Sequence, residues 1–289
     1  MVLHYQKCGA TRINVLYEKN IWEMQMKDCF FTLGGGQFWE DLFVCQEWRI
    51  QRNITSGNIR LLDRWDIIRE EGSYGKCLET FNKYAEALEL KTFDDQHVVI
   101  LLHGFSQTRN IFKFMEKELA LKGLSTVAVN YPSMQRGIKE HALQLKTLLN
   151  NLSGAKSFSV VTFGAGSVVL DSLISNEPEF IKQSSIKSII KIAPFIKMGS
   201  LAKFMMNNQL IGFVFGKMGK ELCNYKAEAC NYAGINSGIL RVKNSPSVEN
   251  LQKLFGIDNV LDTKSTKSKV LCKSETCKAV FNFLKNANF

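Results

Sequence analysis

From Val98 to Pro194 the chain alternates short, nearly continuous apolar runs with stretches whose apolar residues recur every three or four positions. No other feature restricts the fold as much. VVILL (98–102) has the length and apolarity of a buried strand, and IFKFMEKELALKG then sets Ile111, Phe114, Met115 and Leu119 at helical spacing. STVAVNYP reads as a second strand, stopped by Pro132, and Arg136 to Leu152 carries Ile138, Ala142, Leu145, Leu148, Leu149 and Leu152 on one helical stripe. SFSVVTF (157–163) supplies a third strand, Ala165 to Ser175 a helix, and SIIKIAP (188–194) a further strand. Apolar strands joined by helical crossovers build a mostly parallel sheet covered by helices on both faces, so the expected class is α/β.

Residues ahead of this alternation have another texture. FWEDLFVCQEWRIQRNITSGNIRLLD shows short alternating segments around Ser56-Gly57-Asn58, which predicts an N-terminal antiparallel hairpin at the sheet's leading edge. With no internal repeat or linker in view, the expected organisation is an extension over 1–35 and a single domain over 36–289. Within it, SLAKFMMNNQLIGFVFGKMGKEL (200–222) is rich in Met and Phe and reads either as a cap able to line a cleft or as ordinary core packing.

Composition bounds the function. Of 289 residues 45% are hydrophobic, enough for a large core. No apolar run reaches membrane-spanning length and Met1–Asn20 lacks the pattern of a signal peptide, so a cytoplasmic location is expected. Eight cysteines include no C-x-x-C pair, which predicts reduced thiols and no metal centre. The net charge of +10 comes from lysines scattered along the chain, the pattern of a solvated surface and not of a nucleic-acid partner.

The third strand runs into Thr162-Phe163-Gly164-Ala165-Gly166-Ser167. A strand, a tight small-residue turn and a helix form the nucleophile elbow when the turn is G-x-S-x-G. Here the central position is Gly164, which has no side chain with which to attack. Sixty residues earlier, the first buried strand ends in His103-Gly104-Phe105.

LLHGF, NYPS, TFGAGS, APFIKMGS and DNVL stand in the order of L-L-H-G, Y-P-S, T-H-S-x-G-G, P-P-N-x-G-S and D-G-x-V in lipase-like and esterase-like bacterial proteins. Over roughly residues 36–289 the chain thus resembles that branch of the α/β-hydrolase fold. The resemblance implies backbone N–H donors at Phe105 and Ala165 for an oxyanion, a supporting role for His103 and Gly104, a degenerate nucleophile position at Gly164 and a surviving acid at Asp258. It implies no cofactor. The family's histidine would follow Asp258, yet the four histidines are His4, His97, His103 and His141, so the triad histidine is absent. Ser167 and Ser106 are the alternative nucleophiles, and neither has an evident base. The expected function is accordingly a hydrolase-like protein that is catalytically inactive, binding a fatty acid or small acyl ligand or else a protein partner. The alternative is an ester hydrolase using Ser167 or Ser106. Without a base, Gly164→Ser alone is expected to stay silent.

Overall fold

The computed structural model describes residues 36–152, 154–200, 203–204, 216–232 and 234–289. The extension over 1–35 and most of the cap over 200–222 lie outside the described residues.

Four strands come first: β1 (Trp39–Cys45), β2 (Trp48–Asn53), β3 (Ile59–Leu62) and β4 (Ile68–Gly72), antiparallel and in sequence order. The Ser56-Gly57-Asn58 turn does join β2 to β3, but the hairpin belongs to a separate sheet and not to the edge of the parallel one. Helix α1 (Tyr74–Ala87) begins at Ser73, whose hydroxyl accepts the Lys76 N–H, and packs Cys77 and Phe81 onto Trp48, Ile50 and Leu61.

The larger sheet holds β5 (His97–Leu102), β6 (Ser125–Val129), β7 (Ser157–Phe163), β8 (Ile186–Ile192), β9 (Asn236–Arg241) and β10 (Asn259–Asp262). Its order is 10-9-8-7-5-6 and every pair is parallel. The crossovers include α2 (Lys113–Ala120), α3 (Ile138–Asn151), α4 (Gly166–Asn176), α5 (Pro178–Gln183), α6 (Gly216–Asn224) and α7 (Val248–Phe255), and α8 (Ser274–Asn286) closes the chain. Because successive strand residues point to opposite faces, Val98, Ile100 and Leu102 pack with Leu145 and Leu148 of α3, Val169 and Leu173 of α4 and Phe255 of α7. Val99 and Leu101 pack the other way, with Met115 and Leu119 of α2 and Val280 and Phe283 of α8. The result is the α/β-hydrolase type of architecture expected from the sequence.

Buried polar groups bind the layers together. Asp41 on β1, fully buried, accepts Arg49 Nη1 at 2.5 Å, Gln51 Nε2 at 2.8 Å and the Asn130 N–H at 2.7 Å, and its own N–H donates to Asn130 O at 3.0 Å. This network fastens the small sheet to the end of β6. Lys191, near the carboxyl end of β8, is fully buried, and its Nζ donates to both carboxylate oxygens of Asp171 on α4 at 2.7 Å. A buried charge is tolerated only when paired in this way.

Candidate ligand site at the strand-to-helix elbow

The sheet order itself points to the site. From β5 the chain steps outward to β6, then returns across β5 to β7 and continues in the other direction. In open α/β sheets the loops leaving the carboxyl ends of the strands at such a reversal are where ligands bind. Those loops are His103-Gly104-Phe105-Ser106 after β5 and Gly164-Ala165 after β7.

Gly164 takes φ +54°, the left-handed conformation of an elbow, which costs a residue with a Cβ about 1–2 kcal/mol and glycine almost nothing. Its backbone is pinned on both sides: the N–H donates to Ile192 O at 3.1 Å, and the carbonyl accepts the Phe195 N–H at 3.1 Å and the Ser167 Oγ hydroxyl at 2.9 Å. A Cβ built on Gly164 would lie 3.9 Å from Gly104 Cα, so the two loops do adjoin. The helix starts immediately beyond. At Gly166 a Cβ would fall 2.5 Å from Leu102 O and 2.7 Å from His103 O, a close approach that only glycine allows.

Ala165 follows Gly164 in helical conformation and is buried, and among the described residues nothing accepts its N–H. Gly104 donates its N–H to Gln107 Oε1 at 2.9 Å, and Phe105 packs against the core beside it. His103 is fully buried. Its ring lies 4.0 Å from that of Tyr131 and nearly parallel to it, its Nδ1 pairs with Gly104 O at 2.8 Å, and Tyr131 Oη donates to its carbonyl. Burial pushes its pKa down to about 4, so this imidazole is neutral at physiological pH and shapes the turn without offering a charge.

Two expected participants are placed elsewhere or committed otherwise. Asp258 precedes β10 and therefore lies at the amino edge of the parallel sheet, whereas the elbow stands at the carboxyl edge. It is not brought to the site. The carboxylate at the correct edge is Asp262, the last residue of β10, paired with Arg241 Nη1 at 2.5 Å. Ser167 is fully buried; its hydroxyl donates to Gly164 O and its oxygen accepts the Phe195 N–H at 3.3 Å, so it braces the turn. Ser106 has φ +60° and its N–H donates to Ser133 Oγ at 3.0 Å, with no base paired to its hydroxyl among the described residues.

Lys267 was not singled out by the sequence. The loop after β10 returns over the carboxyl edge and sets Lys267 Nζ 3.5 Å and Cε 3.6 Å from the position of a Cβ on Gly164. The ammonium also lies 5.7 Å from the centre of the Phe163 ring. As a residue Lys267 remains solvent-accessible, yet the protein around its amine desolvates the charge and lowers its pKa, and no acidic group opposes the shift. A cationic amine thus stands where sequence reasoning looked for a histidine.

No family model and no curated protein matches the sequence. Among solved structures, the chain is similar to lipase B of Aspergillus fumigatus at 14% identity, over 66% of this chain and 52% of that one, with a TM-score of 0.46. It spans about half the length of that lipase. A hydrolase from Oleispira antarctica matches at 13% identity over 66% and 92% of the two chains, TM-score 0.46. A thermophilic esterase from Thermogutta terrifontis matches at 12% over 68% and 92%, TM-score 0.49. These neighbours are lipases, hydrolases and esterases, but the fold assignment rests on the sheet order and crossovers described above.

Proposed function

We propose that this chain is a non-hydrolytic protein of α/β-hydrolase type whose emptied elbow binds a small acyl-chain ligand. One observation carries the reading: the position that presents a nucleophile in an elbow is Gly164, in elbow conformation and without a side chain. Hydrolysis of an ester through a covalent intermediate needs a nucleophile and a base within about 2.6–3.2 Å of each other. Ser167 is engaged in two backbone hydrogen bonds that hold the turn, which argues against its use as a substitute. What persists is the electrophilic half of the arrangement, the N–H of Ala165 and the amine of Lys267, which suits holding an acyl oxygen better than cleaving its bond. Native mass spectrometry and thermal shift against fatty acids, lysolipids and short acyl esters test the proposal. A specific complex with unmodified ligand recovered from it is expected. Absence of any specific complex across that panel would remove the ligand-binding role and leave an interaction with another protein as the reading to test.

A further inference from the structure

We propose that Lys267 makes the emptied elbow a carboxylate site, so that the ligand is a free acid and not an ester. This deepens the preceding reading and rests on it. The amine is well placed to meet an anion, because its Nζ lies 3.5 Å from the Cβ that Gly164 lacks, beside the space where an acyl group would meet the turn. It is also uncommitted. The described ion pairs give the buried cations Arg49 and Lys191 each a carboxylate, and none of them includes Lys267.

Chemistry then selects the ligand. An ammonium with no counter-ion attracts an anion through its full charge, whereas a neutral ester offers it only a dipole. Hydrogen bonds from a cation to a carboxylate are about twice as strong as neutral ones. A carboxylate has two oxygens, and the site offers two donors with no acceptor among the described residues, the Lys267 ammonium and the buried Ala165 N–H. The desolvation that lowers the Lys267 pKa is a consequence of the same placement. In an ester hydrolase this end of the ligand is the bond to be cut. Here it becomes the handle by which an acid is held.

Isothermal titration of the full chain with octanoate and with methyl octanoate separates the possibilities, using Lys267→Met, Lys267→Arg and, as a control in the same loop, Lys269→Met. Octanoate should bind the unaltered protein at least tenfold more tightly than its methyl ester. Lys267→Met should lose at least tenfold for octanoate and much less for the ester, Lys267→Arg should restore most of the loss, and Lys269→Met should have no effect. Equal affinity for acid and ester, or octanoate binding that ignores Lys267→Met, overturns the carboxylate assignment while the elbow remains a ligand site. If neither compound binds and the wider acyl panel is also silent, both the assignment and the reading beneath it fail.

Discussion

Gly164 and Lys267 are informative only as a pair. A side chain restored at Gly164 would meet the Lys267 amine first, and a hydroxyl one bond beyond that Cβ has rotamers within hydrogen-bond reach of Nζ. The lowered pKa of Lys267 leaves more neutral amine near neutral pH than an ordinary lysine provides, and neutral amine is a base. Gly164→Ser should therefore gain slow labelling by a fluorophosphonate that the parent protein lacks, and Gly164→Ser/Lys267→Met should lose it. No labelling of the single variant, in a protein still folded by circular dichroism, would show that the amine does not serve the elbow. The sequence alone led to the opposite expectation, because only histidine was considered as base. Lys267 lies in TKSTKSK, where each lysine looks alike along the chain. What distinguishes it is the return of the loop to the carboxyl edge, a three-dimensional fact. A second effect at this scale concerns acid. His103 and His141 are both buried, with pKa values pushed down by burial to about 4 and about 3. In the unfolded chain both take a proton near pH 6.5. Stability is thus fully present above that value and falls as pH drops through the window between 6.5 and the folded values, by up to about 1.4 kcal/mol per unit for each histidine. Neither ring nitrogen of His141 meets a partner in hydrogen-bond geometry, although the Arg136 backbone comes close enough to be felt. His141→Phe should keep the fold and flatten the pH 6 to 5 decline in urea midpoint by about half; an unchanged decline would place the acid sensitivity elsewhere.

The elements around the elbow follow from how closely they must approach. Helix α4 begins against the carbonyls that end β5, and Gly166 is what lets it do so. Since those carbonyls belong to the backbone of a central strand, they cannot give way, and Gly166→Ala should cost about 1–3 kcal/mol. That is read as a drop of several degrees in Tm; a Tm within a degree of the parent would mean that the helix moves freely over the strand. The crossovers from β5 to β8 are legible in the sequence because strands buried on both faces leave no polar alternation to confuse them with loops. The small sheet is legible only as a hairpin, since its two outer strands carry mixed patterns: β4 reads IREEG and is mostly exposed. Asp258 illustrates the remaining error. Its assignment rested on DNVL as a loop, but Asn259–Leu261 begin β10 just after it, and four residues of strand carry the chain from one edge of the sheet to the other.

At the scale of the molecule, two covered sheet faces, a second sheet fastened through Asp41 and a buried Lys191–Asp171 pair hold a scaffold of the kind that elsewhere supports hydrolysis. Among the described residues no helix is long and apolar enough to cross a membrane, and no three His, Cys, Asp or Glu side chains gather as a metal site. None of the six described cysteines is joined in a disulfide. The scaffold keeps a strand-to-helix turn with Gly164 at its centre. Even a triad enzyme stripped of its nucleophile retains roughly 10³–10⁴ over the uncatalysed rate from binding and oxyanion stabilisation, so a faint rate is no proof of mechanism and its dependence on a hydroxyl must be measured. The decisive measurement is steady-state hydrolysis of nitrophenyl butyrate and octanoate by the purified chain beside its Ser167→Ala and Ser106→Ala variants. A rate near background, unaltered by either substitution, is the expected result. Sustained turnover abolished by one of them would contradict the central claim and make this chain an ester hydrolase with a relocated nucleophile.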